Sequence, residues 1–198
     1  MSTPPNADGP GNKAGIRARM LQHRAALEPR RCSAHSRALC ERLLALPVLR
    51  GAACVAGYRA FRGEIDPASA LAAAARRGAR IALPRMDGAG ELTLHAHSPD
   101  DSLARNRFGI EEPAVTSAVV STVDVEVILV PAVAVDPQGH RLGFGRGFYA
   151  RLLPRLPRAR AIAVVHDFQV LEQVPADAHD VPMHAIVSEA RTLHVGAT

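Results

Sequence analysis

No tryptophan occurs in this chain, and only two tyrosines and five phenylalanines do. That scarcity argues against a surface built to stack nucleic-acid bases, which needs aromatic platforms beside its cations. Cysteine is scarce as well. Cys32, Cys40 and Cys54 are odd in number and lack the paired spacing of a zinc site. They read as free thiols in a reducing compartment, not as a disulfide framework. No apolar run approaches the length of a membrane span, and the first residues lack a basic-then-apolar secretory pattern. These absences predict a cytoplasmic protein with neither membrane nor nucleic acid as partner. Lysine is reduced to Lys13, so every other basic side chain with a fixed charge is arginine. The bias matches a GC-rich coding sequence better than any function.

What is present is the composition of a soluble globular protein. With 198 residues, 47% of them hydrophobic, one domain with a sizeable core is expected. Residues 1–12, rich in Pro, Gly and Asn, read as a disordered tail, leaving 13–198 as the single domain. The net charge of +5 favours anionic ligands, weakly.

Along the chain, helix formers dominate from Lys13 to about Leu27, and a second helix is predicted over Arg31–Leu46, before Pro47. Ala52–Tyr58 reads as the first core strand, and Arg59–Asp66 as a loop at its C-terminal end, where ligands gather in open α/β sheets. An alanine-rich helix over Pro67–Arg77 and a strand over Arg80–Pro84 complete a βαβ unit. Arg85 closes that strand, facing either an anionic ligand or solvent. Glu91–His97 alternates strictly and predicts a half-exposed strand. On it His95 and His97 read as exposed residues more readily than as a metal pair, because no third ligand stands nearby. Ala161–Val165, Ala185–Val187 and Thr192–Val195 supply the last strands. Strands alternating with helices predict an α/β fold with a mostly parallel sheet.

The most informative stretch runs from Val125 to Leu153. An apolar β-branched run, Val125–Val130, reads as a buried central strand. A turn at Asp136-Pro137-Gln138-Gly139 follows. Then Gly143, Gly145 and Gly147 alternate, flanked by Arg141 and Arg146, and a helix begins at Phe148. Strand, glycine loop and helix start let backbone N–H groups converge on an anion, with arginines to pair its oxygens. The spacing matches neither the P-loop nor the dinucleotide fingerprint. On chemistry alone, a phosphate cradle and a structural glycine turn are equally good readings.

Pro131-Ala132-Val133-Ala134-Val135-Asp136, followed by Gly139-His140-Arg141-Leu142-Gly143-Phe144-Gly145-Arg146-Gly147-Phe148-Tyr149, resembles the signature of the 5-formyltetrahydrofolate cyclo-ligases, also called methenyltetrahydrofolate synthetases. Collinear pieces extend the resemblance from Lys13 to about Glu189: Lys13-Ala14-Gly15-Ile16-Arg17 for K-x-x-L-R, Phe108-Gly109-Ile110 with Glu112-Pro113, and Ala178-His179-Asp180.

The resemblance implies a three-layer, Rossmann-like α/β sandwich with helices on both faces of its sheet. It also implies ATP-dependent conversion of 5-formyltetrahydrofolate to 5,10-methenyltetrahydrofolate through a phosphorylated formyl group. ATP would be cosubstrate, Mg2+ the metal, and the chain a monomer or weak homodimer. ATP would meet Lys13, Arg17, Arg141, Leu142, Gly143, Phe144, Gly145, Arg146, Gly147, Phe148 and Tyr149, with Lys13 and Arg146 catalytic. The folate would meet Arg59, Glu64, Phe144, Gly145, Arg146, Gly147 and Phe148. A carboxylate such as Glu64 accepts paired hydrogen bonds from an aminopyrimidinone edge. The plainer reading of Glu64 is a surface pair with Arg62. Phe108 and Ile110 either wall the folate pocket or simply pack.

Asp180 is the implied magnesium ligand. The commonest family form has a second ligand, an Asp, where this chain has Ala150, which offers no side-chain oxygen. Asp136 and Asp167 are the candidate substitutes. That alanine keeps open an alternative, a diverged nucleotide- and folate-binding chain with little or no turnover.

Overall fold

The computed structural model describes residues 12–177 and 180–196. The expected tail lies outside the described residues except for Asn12, which has a structural task. Its Oδ1 accepts from the Gly15 N–H at 2.7 Å and so caps helix α1, Lys13–Ala25. Helix α2 spans Pro29–Ala45, with Pro29 preset for the first turn, and α3 is a single turn at Pro47–Gly51. Strand β1 is Cys54–Ala56, shorter than its apolar run, and is followed by α4, Ala68–Arg76, and β2, Arg80–Met86. Next come β3, Leu92–Ala96, and a small hairpin of β4, Leu103–Arg105, with β5, Glu111–Pro113. The central stretch forms β6, Val127–Pro131; β7, Ala134–Val135; β8, Arg141–Leu142; and α5, Phe148–Leu152. Strands β9, Arg160–Val164, β10, Ala185–Val187, and β11, Thr192–His194, finish the chain.

One seven-stranded sheet has the order β11-β10-β9-β6-β1-β2-β3. All neighbours are parallel except the two edge pairs, β10 with β11 and β2 with β3. The run predicted as a buried central strand, β6, sits in the middle. Its side chains alternate between two cores: Val127 and Leu129 face α2, α3 and α4, while Ile128 and Val130 face α5 and the following turn. Each such fully buried aliphatic residue stabilises the fold by roughly 2 kcal/mol. Helices therefore cover both faces, but unequally, because α5 has only five residues. A third, smaller core seats α1 on the β7–β8 hairpin through Ile16, Met20, Val133 and Leu142. Among the described residues no helix is long and apolar enough to cross a membrane.

Strand β3 departs from its expected half-exposed pattern. His95 is buried, its Nδ1 2.8 Å from the Ser117 carbonyl and its Nε2 3.0 Å from Thr93 Oγ1. Residues 117–120 run antiparallel along the outer edge of β3, and the Ser117 carbonyl there engages the His95 ring.

The turn joining β7 to β8 is closed by Asp136, which is fully buried. Its Oδ1 accepts from the N–H groups of Gln138 and His140, and its Oδ2 from the Val174 N–H and His140 Nδ1, all within 3.1 Å. Asp136 thus has no oxygen to spare for a metal. Gly139 ends the turn at φ 87°, and a Cβ there would stand 2.7 Å from the Met183 carbonyl oxygen. Gly139→Ala is expected to cost about 2 kcal/mol or more, because both a left-handed backbone and a backbone neighbour oppose the methyl. Denaturant unfolding measures this, and an unchanged midpoint would refute it.

Candidate active site

A cleft of about 620 Å³ opens at the C-terminal ends of β1, β2 and β6, lined there by Tyr58, Met86 and Pro131. That end of a parallel sheet is where strand ends and loops leave room for a ligand. The ATP, folate and magnesium contacts that the resemblance implies all line it: Lys13, Arg17, Arg59, Glu64, Arg141 to Tyr149, and Asp180, whereas Arg85, Asp136 and Asp167 do not. The signature brings the stretch 141–149 there by local folding, and α1 brings Lys13 and Arg17 from the other end of the chain.

The cationic side is built around the glycine loop. Arg17 Nε donates to the Gly143 carbonyl at 2.8 Å, and its guanidinium lies beside the Gly145 backbone. Lys13 is ion-paired with Asp177 at 2.6 Å on the rim, so it does not face the cleft alone. Arg146 lies 4.5 Å above the Phe108 ring, a cation–π contact that fixes it against the β4–β5 turn. Arg141 is unusual among the residues lining the cleft, and it shares its condition with Arg24 behind the wall, whose two Nη atoms are likewise buried without a hydrogen bond among the described residues. Arg141 is 9% exposed, burial lowers its pKa, and Nε and Nη2 have no hydrogen-bond partner among the described residues. Buried guanidinium N–H groups left unpaired are costly and rare in a folded chain. The brief α5 adds little dipole, so the arginines and loop amides carry the positive field.

The opposite side is built around Glu64. It is buried, its Oε2 accepts from the Phe61 N–H at 3.0 Å, and Arg24 Nη1 stands 3.8 Å from Oε1. Burial pushes its pKa up to about 7, against the pull of Arg24 and of the Phe61 N–H. The expected surface pair with Arg62 is not formed: Glu64 is buried beside Arg24, and the Arg62 guanidinium lies 4.9 Å from the Phe61 ring. Arg24 escaped the sequence reading. It sits on α1, 2% exposed, with Nε donating to the Arg62 carbonyl and its guanidinium 5.1 Å from the Phe144 ring. Its place three helix positions beyond Leu21, on the face shared with Met20, was the available signal.

The β4–β5 hairpin closes the remaining wall with Phe108, Ile110, Glu111 and Glu112. Arg59 pairs with Glu111 at 3.0 Å. Arg85 does not line the cleft and is only partly exposed, pairing with Glu112 at 3.1 Å and donating to the Pro113 carbonyl. Two carboxylates stand at the rim near the glycine loop. Asp180 faces the charge of Arg141 and accepts the Asp177 N–H at 2.9 Å, and Asp177 lies beside it. Asp167 is engaged elsewhere, accepting from Ser188 Oγ and Arg191 Nε at 2.8 Å.

Fold and cleft together define an open-sheet α/β protein in which a cation-rich glycine loop faces a buried carboxylate across one ligand-sized space. The chain belongs to the 5-formyltetrahydrofolate cyclo-ligase family, whose model matches residues 10–189. It is 31% identical to the 5-formyltetrahydrofolate cyclo-ligase of Escherichia coli K12 over 86% of this chain and 96% of that protein. With the enzyme of that name from Mycolicibacterium smegmatis it shares 34% over 92% and 96%. Among solved structures, the Aquifex aeolicus 5,10-methenyltetrahydrofolate synthetase superposes with a TM-score of 0.82 at 34% identity, covering 94% of both chains.

Proposed function

We propose that this chain carries out ATP-dependent cyclisation of 5-formyltetrahydrofolate to 5,10-methenyltetrahydrofolate, releasing ADP and phosphate. The observation that carries the reading is Arg141: it lines the cleft as a buried guanidinium whose Nε and Nη2 have no partner among the described residues, a cationic group suited to a polyanion.

In this reading the formyl oxygen attacks the γ-phosphorus and ADP leaves. N10 then attacks the formyl carbon, its proton is lost, and phosphate departs with the former formyl oxygen. Phosphorylation converts an amide oxygen, a poor leaving group, into a good one. Phosphoryl transfer depends on positioning and charge neutralisation, so cations and donors suffice without a protein nucleophile. Lys13 and Arg146 balance the charge on the transferring group, while Arg17, Arg141 and the amides of Leu142 to Tyr149 hold the triphosphate. Phe144 and Phe148 flank the pterin, Glu64 accepts its N–H edge, and the Arg59–Glu111 pair borders it. Asp180, with Asp177 beside it, fits a hard cation that takes one or two carboxylates plus phosphate oxygens, so these two would hold Mg2+ without help from position 150. Bound there, Mg2+ would offset phosphate charge. A cytoplasmic setting agrees with three free thiols, and a monomer or weak homodimer completes the reading.

Growth of methenyl absorbance together with ATP consumption tests it. Tight binding of both ligands without turnover would instead favour the binding-protein alternative. The Glu64 value makes a second test. The carboxylate, not the acid, accepts two N–H donors, and near pH 7 about half of the free protein holds it protonated. Folate affinity should therefore rise as pH increases through about 7 and level off above it. Glu64→Gln should flatten that profile, and a wild-type affinity independent of pH between 6 and 8 would exclude the role.

A further inference from the structure

Away from the cleft, three side chains from distant parts of the chain turn their donor atoms on one point. His35 lies on α2, His166 follows β9, and Glu189 follows β10. Their donor atoms all lie within 4.8 Å of one another, and none of the three lines the cleft. His35 Nδ1 is 3.0 Å from His166 Nδ1 and 3.3 Å from Glu189 Oε1.

The protons do not suffice for these contacts. His166 is fully buried and its Nε2 lies 3.0 Å from the Gly63 carbonyl, which only accepts. Nε2 therefore carries the hydrogen, and the neutral ring presents a bare lone pair at Nδ1. Glu189 Oε1 is also an acceptor. His35 Nδ1 has one hydrogen at most, so it cannot serve both neighbours. A cation between the three atoms satisfies every lone pair at once. Two of the separations, 3.0 and 3.3 Å, match the roughly 3.3 Å between donors that stand about 2.0 Å from one centre, and the third lies within 4.8 Å, so a small turn of the partly exposed Glu189 side chain completes the set. Two ligands are also held in aim from behind, His166 by Gly63 and Glu189 through its Oε2, which accepts the Asp167 N–H at 2.9 Å.

We propose that His35, His166 and Glu189 bind one divalent transition-metal ion, clipping α2 to the ends of β9 and β10. Two imidazoles and a carboxylate select Zn2+ or a neighbouring first-row ion over Mg2+, which prefers oxygen donors. His35 and Glu189 are partly exposed, 15% and 17% at their side chains, so the ion enters from solvent and a water completes its shell. Through His166 the clip steadies the Gly63 carbonyl, next to Glu64.

The test uses the full chain freed of metal by chelation. Calorimetric titration with ZnCl2 is expected to show one ion per chain and a melting temperature raised by roughly 5 °C or more. His35→Gln and Glu189→Gln, both at partly exposed positions, should each weaken Zn2+ at least about 10-fold and abolish the thermal shift, and His194→Gln should change neither. Full zinc affinity in both ligand variants, or no stoichiometric binding by the wild type, overturns the proposal.

Discussion

Replacing Arg141 with methionine is expected to weaken ATP binding by about 10²- to 10⁴-fold while leaving the unliganded protein at least as stable as the native chain. The two halves of this result have one cause. In the free protein Arg141 is buried, with Nε and Nη2 unpaired among the described residues, and each such donor costs about 1–3 kcal/mol. Methionine fills similar space without that cost, as apolar replacements of buried charges often do. With ATP present the balance reverses, since each charge-assisted bond to a phosphate is worth about 1.5–3 kcal/mol and two are lost. Calorimetric titration with ATP and thermal unfolding of the free protein measure the two halves separately. A large loss of stability with unchanged ATP affinity would make Arg141 a structural residue and remove the main support for the proposed function.

Gly145→Val is expected to reduce ATP affinity about 100-fold or more with the far-ultraviolet spectrum unchanged. Gly145 holds φ 96°, where a β-branched residue is strained by about 1–3 kcal/mol. Its Cβ would stand 3.5 Å from the Arg17 guanidinium carbon, so the two methyls beyond it must displace that side chain or the loop. Either movement breaks the bond from Arg17 Nε to the Gly143 carbonyl, on which the loop's shape rests. The loop is exposed and outside the three cores, so the fold survives. Native affinity in the valine variant would mean that the loop amides do not hold the triphosphate.

The central strand, the glycine loop and the cationic face of α1 were legible from residue order, since each follows from a local rule: apolar runs bury, glycine turns, basic residues at i and i+4 share a face. The short second-face helix was legible too: it begins at Phe148 as expected and gives way to a 3-10 turn at Pro154, the residue that marked its end in the sequence. Ile16, standing where the family pattern has leucine, illustrates the same local logic: it is buried with Met20 and leaves Lys13 and Arg17 on the cleft side.

Charged residues behaved differently. Glu64, Arg85, Asp136 and His95 each looked like a surface or ligand group, and each was claimed by a partner that the chain brings from elsewhere. By itself the amino-acid order determined the succession of the main-sheet strands, the glycine loop and part of the lining of the cleft. Only the tertiary structure decided which cation faces which carboxylate, that Arg141 Nε and Nη2 have no partner among the described residues, and that His35 meets His166 and Glu189. Periodicity is a property of neighbours along the chain, whereas desolvation and ion pairing depend on distances between segments that sequence spacing does not specify.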